Sequence, residues 1–199
     1  MFTEPRLEHG WMEVICGSMF SGKTEELIRR IRRSRLAGQR VVLFKPAIDV
    51  RYHAVDVVSH DANSLRSIPV SSSLEILENY TNEDVVAIDE AQFFDHHLPE
   101  VCMKLTEQNV RIIIAGLDMD FKGKPFGPMP HLMAMAEYVT KVHAICMKCG
   151  NLAGFTFKKI SNDQTVELGE RELYEARCRS CFVEGMAELK DQLKMDLKN

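Results

Sequence analysis

The sequence predicts an α/β fold: a parallel sheet built around a phosphate-binding loop, followed by a small metal-held β-ribbon. Three observations carry this. Gly17-Ser18-Met19-Phe20-Ser21-Gly22-Lys23-Thr24 matches G-x-x-x-x-G-K-S/T and lies between a strand-like apolar run and a helical one. Val85-Val86-Ala87-Ile88 and Arg111-Ile112-Ile113-Ile114-Ala115-Gly116 are nearly continuous apolar runs of strand length, the pattern of strands buried on both faces. Cys146-x-x-Cys149 and Cys178-x-x-Cys181 bracket a segment too small to hold its shape with its own core.

The chain has 199 residues, 45% of them hydrophobic, enough for one sizeable core and an appendage. Its formal charge of −4 gives no support for a broad nucleic-acid-binding surface. No apolar run is long enough for a membrane span. The opening residues, Met1 to Gly10, are polar and partly acidic, unlike a signal sequence, so a soluble cytoplasmic protein is the expectation. Cys16 and Cys102 stand alone in apolar settings and read as buried small hydrophobes.

Met12 to Cys16 reads as the strand that delivers the phosphate loop to a helix beginning at Thr24. At such a junction backbone N–H groups and the helix dipole face a polyphosphate. Lys23 would reach the terminal phosphates, and the Thr24 hydroxyl would ligate the accompanying magnesium. Leu27, Ile28, Ile31 and Leu36 supply the helix with an apolar stripe. Arg29, Arg30, Arg32, Arg33 and Arg35 suit either anion binding or a solvated face partly paired with Glu25 and Glu26.

Gly38 ends that helix, and Val41 to Phe44 reads as the second strand. Lys45 to Tyr52 leaves at the edge where open parallel sheets bind ligands, which makes Asp49 and Arg51 site candidates. A short helix is expected within Ser71 to Tyr80. Asp89-Glu90 then closes an apolar strand, as in phosphate-loop enzymes whose aspartate holds magnesium and whose glutamate activates the nucleophile. A carboxylate holding a loop arginine is the structural alternative for Glu90. Phe93 and Phe94 either wall a pocket or cap the core.

A helix from Pro99 to about Gln108 precedes the strand at Arg111. In the loop from Leu117 to Gly127, Leu117, Phe121 and Phe126 are surplus to a solvated turn and could stack around a flat substrate. Val139 to Ile145 is read as the last core strand. Two cysteine knuckles separated by a hairpin then supply four thiolates for a tetrahedral metal, with zinc the natural fit and no open catalytic position. Disulfides or another thiophilic metal are the alternatives. Met186, Leu189, Leu193 and Leu197 suggest an amphipathic helix in the tail. The implied organisation is a phosphate-loop α/β body over 1–145, a metal module over 146–184 and a tail over 185–199.

The phosphate loop, Lys45 to Tyr52, Asp89-Glu90-Ala91-Gln92-Phe93-Phe94, the Leu117 to Gly127 loop and the two knuckles together resemble the type II thymidine kinases. The resemblance runs from Trp11 to Cys181, with the elements in family order. It implies a RecA-like α/β core with a zinc module bearing a lasso loop, and transfer of phosphate from MgATP to the 5′-hydroxyl of thymidine. It further implies Glu90 as the base, with Lys23, Thr24 and Asp89 on ATP and magnesium. Arg51 is placed near the transferred phosphate, with Asp49 beside it. Met19, Leu117, Phe121 and Phe126 would form the thymine pocket, with Val166, Glu167, Leu168, Gly169 and Tyr174 in the lasso. A homotetramer, feedback inhibition by thymidine triphosphate and activity on deoxyuridine also follow from the resemblance alone. Zinc removal is expected to damage the lasso before it abolishes ATP binding.

Three positions depart from the family pattern. Ala176 stands where many members carry proline, Phe182 where bacterial relatives often carry histidine, and Gly123 where one member carries arginine. A zinc-ribbon ATPase acting on nucleic acid would share the knuckles and the arginine-rich helix. The net charge and the apolar loop around Phe121 favour a small nucleoside instead.

Overall fold

Strand β1, Trp11–Cys16, carries the phosphate loop at its C-terminal end and passes directly through the core, with Val14, Ile15 and Cys16 fully buried. The computed structural model describes residues 9–50, 56–58, 64–159 and 173–196. After the loop come α1 (Lys23–Leu36), β2 (Val41–Pro46) and the short α2 (Ala47–Val50). A small hairpin follows, β3 (Asp56–Val58) with β4 (Ser64–Arg66), then β5 (Ile68–Val70) and α3 (Leu74–Asn79). Strand β6 (Val85–Ile88) leads through a single 3₁₀ turn, Ala91–Phe93, into α4 (Leu98–Thr106) and β7 (Arg111–Gly116). Helix α5 (Met129–Met135) and β8 (Tyr138–Lys141) complete the body.

Six of these strands form a sheet in the order β5-β2-β6-β7-β1-β8, with every neighbouring pair parallel. Strand β7 therefore separates the phosphate-loop strand from the acidic strand β6, the arrangement expected of a RecA-like core. Alternation along each strand sends side chains to two apolar layers. Met12, Val14, Val86, Ile88, Ile112 and Ile114 face α4 and α5, while Ile15, Ala87, Ile113 and Ala115 face Leu27, Ile28 and Ile31 of α1. Parallel connections place the C-terminal ends of β1, β6 and β7 along one edge, so Gly17, Asp89 and Leu117 emerge side by side.

The predicted strand Val139 to Ile145 is divided between two sheets. Val142 N–H donates to the Cys16 carbonyl at 2.8 Å as the last link to β1. Ala144–Ile145 (β9) then pairs antiparallel with Leu152–Ala153 (β10) across the first cysteine knuckle. Residues flanking a tight metal-type turn pair with each other, and that pairing draws the strand out of the core. The rest of the ribbon is β11 (Phe155–Lys158) paired with β12 (Tyr174–Arg177). The ribbon strand expected at Thr165 to Leu168 lies outside the described residues. The tail helix also begins earlier than its apolar spacing suggested: α6 runs Arg179–Asp196, starting inside the second knuckle.

Candidate active site and metal cluster

The phosphate loop is folded around its own lysine. Lys23 Nζ, on a residue only 8% exposed, donates to the Ser18 carbonyl at 2.9 Å, and Ser21 Oγ donates to the same oxygen at 2.7 Å. Burial lowers the Lys23 pKa, with the charges of Glu90, Asp89 and Asp118 partly opposing it. Gly17 is required by two constraints at once. Its φ is +148°, and a Cβ there would lie 2.2 Å from the Val142 carbonyl oxygen.

Asp89 follows β6 directly and is 5% exposed. Thr24 Oγ1 lies 3.5 Å from Asp89 Oδ2, while Asp89 Oδ1 accepts from the Glu90 N–H at 3.0 Å. Neighbouring oxygens on an octahedral magnesium lie about 3 Å apart, so this pair fits a shared ion after a small side-chain rotation. Glu90 adopts left-handed backbone geometry, φ 51°, which turns it out of the strand. Gln92 Nε2 donates to Glu90 Oε2, and Leu117 N–H donates to Gln92 Oε1 at 2.9 Å.

The loop after β7 is shaped by Asp120, whose Oδ1 accepts from the N–H groups of Lys122 and Lys124 at 2.8 and 2.9 Å. Leu117 is buried, while Phe121 and Phe126 are half-buried. The phenylalanine pair Phe93 and Phe94 divides its duties. Phe94 belongs to the core, and Phe93 packs edge-on against Phe126 at 5.6 Å. Across from them Lys158 Nζ lies over the rings of Phe121 and Tyr174, at 5.1 and 5.8 Å.

The phosphate loop also touches the ribbon. Met19 N–H donates to Thr156 Oγ1 at 3.0 Å, Ser18 Oγ approaches the Ala153 carbonyl at 3.5 Å, and Phe20 packs on the apolar cluster of Ala144, Cys146, Ala153 and Ala176. Phosphate loop and cysteine module are thus packed against each other.

Cys146, Cys149, Cys178 and Cys181 place their sulfurs within 4.8 Å of one another, with Cys149 and Cys178 at 3.6 Å. Sulfurs on a tetrahedral zinc, at a Zn–S distance of about 2.3 Å, would be roughly 3.8 Å apart, so the four residues fit that ion. Burial would raise the Cys146 pKa, but backbone N–H groups of Cys178, Cys149 and Lys148 overcome it and hold the thiol at about 6. Hydrogen bonds with Cys178 and Cys149 push Cys181 to about 12. The donor set shares its protons unevenly, and a bound metal would displace them.

Lys23, Thr24, Asp89 and Glu90 are brought to one sheet edge, with Leu117 beside them. Arg51, Val166, Glu167, Leu168 and Gly169 lie outside the described residues, as does the side chain of Asp49, whose backbone falls in α2. Sequence reasoning missed Gln92, Asp118, Thr156 and Lys158 as members of this region. Asp118 is 6% exposed; Oδ2 meets Lys141 Nζ at 2.6 Å, and Oδ1 is a buried oxygen without a hydrogen-bond partner among the described residues. Its place at the tip of a core strand was the available signal.

The model of the family described as thymidine kinase matches residues 10–182. The chain belongs to the thymidine kinase family. A thymidine kinase of Bacteroides thetaiotaomicron is 56% identical over 192 residues, covering 94% of this chain and 96% of the relative. One from Bacteroides fragilis is 57% identical with the same coverage. One from Porphyromonas gingivalis is 57% identical over 176 residues, 88% of this chain and 86% of its own. The thymidine kinase match takes in the phosphate loop, the acidic strand end and both cysteine knuckles. No helix among the described residues is long and apolar enough to cross a membrane.

Proposed function

We propose that this chain phosphorylates thymidine at the 5′-hydroxyl with MgATP, giving thymidine 5′-monophosphate for nucleotide salvage, with deoxyuridine as a second substrate. The observation that carries the reading is the meeting of the phosphate loop, Asp89-Glu90 and the Leu117 loop at one sheet edge. Family membership supplies the nucleoside.

A bond forms between the 5′-oxygen and the γ-phosphorus while the bond to the β–γ bridging oxygen breaks, and ADP leaves. Glu90 orients the hydroxyl and takes its proton. Lys23 and Arg51 offset charge on the phosphates, and the loop N–H groups hold them in line. Thr24 and Asp89 are the residues that would hold magnesium, which when bound would supply positive charge against the phosphates. Met19, Leu117, Phe121 and Phe126 enclose the base, with Asp49 and Tyr174 near the nucleoside and Val166 to Gly169 offering main-chain hydrogen bonds. Cys146, Cys149, Cys178 and Cys181 hold structural zinc.

The same reading places an ATP-binding body over 1–145, the lasso module over 146–184 and a tail beyond, in a cytoplasmic homotetramer inhibited by thymidine triphosphate. Native mass measurement and an inhibition assay test those last two features.

The deciding experiment compares wild type with Glu90→Gln for thymidine phosphorylation, while titrating ATP and thymidine binding. Turnover is expected to fall roughly 10²–10⁴-fold with both substrates still bound. Near-wild-type turnover in the folded variant would remove Glu90 from the chemistry. A wild type that makes no thymidine monophosphate would overturn the substrate.

A further inference from the structure

Gln92 is 2% exposed and is engaged at both ends of its amide. The Leu117 N–H can only donate, so the atom it meets must be the amide oxygen. The Nε2 end therefore faces Glu90 Oε2, and the main chain has fixed which way the amide points. There is little space for it to turn. A Cβ on Gly116 would lie 3.0 Å from Gln92 Oε1 and 2.6 Å from Met129 Sδ, and one on Gly127 would lie 2.2 Å from the Gln92 carbonyl oxygen. Both glycines keep neighbouring backbone pressed against this one residue.

Glu90 sits in left-handed backbone geometry at the start of the 3₁₀ turn, just past the end of β6. We propose that Gln92 is a positioning residue for phosphoryl transfer: anchored on the Leu117 N–H, it holds the Glu90 carboxylate in its working orientation. The inference rests on Glu90 being the base. A donor on Oε2 acts on the carboxylate together with the facing Lys23 ammonium and the neighbouring Asp89 and Asp118 carboxylates. Removing it takes away a hydrogen bond to the form able to take a proton. Because Leu117 walls the proposed nucleoside pocket, the amide ties the pocket wall and the base into one unit.

The test uses two variants of the full-length zinc-loaded enzyme, with Glu90→Gln in parallel. Gln92→Met removes both hydrogen bonds at similar length. Gln92→Glu keeps an acceptor for the Leu117 N–H but sets a carboxyl group against Glu90. For Gln92→Met, kcat is expected to fall about 10–100-fold with thymidine KM within about 3-fold, the split of an interaction used in the transition state. The acid limb of the kcat–pH profile moves to higher pH, and further for Gln92→Glu. Adding Gln92→Met to Glu90→Gln costs little more turnover, since the amide then has no base to position. A merely structural glutamine would lower the melting temperature and leave the acid limb in place. That result in either folded variant, or a loss confined to KM, overturns the inference while Glu90→Gln still loses turnover. Should Gln92→Met fail to fold, Gln92→Glu decides alone. If Glu90→Gln keeps its turnover, the base assignment is what fails, and the positioning role falls with it.

Discussion

The backbone N–H of Met19, inside the phosphate loop, donates to the hydroxyl of Thr156 on β11 at 3.0 Å. With Phe20 packed on the cysteine module, this makes the ribbon a support for the nucleotide-binding loop. Thr156→Val removes the acceptor and keeps the shape. A typical net hydrogen bond contributes about 1 kcal/mol, so ATP affinity is expected to drop roughly 5-fold. Calorimetric titration checks it, and unchanged affinity would mean that the contact does not shape the loop.

Metal removal should follow the same route. Cys146→Ser or Cys178→Ser is expected to abolish stoichiometric zinc and to weaken ATP and thymidine together, because Cys146 lies in the cluster on which Phe20 rests. Thiol titration gives an independent count. Burial pushes Cys16 to about 11 and Cys102 to about 12, so neither should react in the native protein near pH 8. Chelation should open the four-cysteine set to the reagent, with Cys181 the slowest of the four because its hydrogen bonds hold it at about 12, and Cys16 and Cys102 should need denaturant. Loss of metal with ATP affinity intact would break the proposed coupling.

Beneath the sheet, Glu13 accepts from Arg111 Nε and Arg30 Nη1, each at 2.7 Å, and from Trp11 Nε1 at 2.8 Å. Burial raises its pKa, but these partners outweigh burial and the net shift is downward from 4.5. A carboxyl with a depressed native pKa stabilises the fold above its unfolded value. That contribution is lost as pH falls below about 4.5 and through the native pKa. Arg111→Met should cost roughly 3 kcal/mol at neutral pH, since Arg30 still pairs the carboxylate, and should flatten the acid dependence. Denaturant melts across pH 3–7 measure both.

Two departures from the family pattern touch each other. Gly123 has φ +73°, and a Cβ there would lie 3.2 Å from the Phe182 ring, itself stacked on Phe155 at 4.7 Å. Gly123→Ala is expected to cost about 1–2 kcal/mol through left-handed strain alone. The Phe182 ring must also give by a few tenths of an ångström, and thermal melting reads the sum. A variant as stable as wild type would show that the turn relaxes.

By itself the sequence determined the phosphate loop, the interior strands and the four-cysteine set, because each depends on local spacing. A loop lysine next to a helix start, an unbroken apolar run and paired cysteines carry their physical meaning within a few residues. It also placed Asp89 and Glu90 at a strand end, since an apolar run must stop where charge begins. The fate of Phe93 and Phe94 was undecidable, because they leave a 3₁₀ turn, where no strand alternation assigns their faces and only packing does. Tertiary structure alone decided that the strand after Tyr138 splits between two sheets, that Phe20 and Met19 lean on the ribbon, and that Gln92 bridges Glu90 to Leu117. Two of those contacts join residues 25 and 137 apart, Leu117 to Gln92 and Met19 to Thr156. No local pattern encodes them, since a glutamine or threonine side chain takes its partner from whatever the fold brings alongside it.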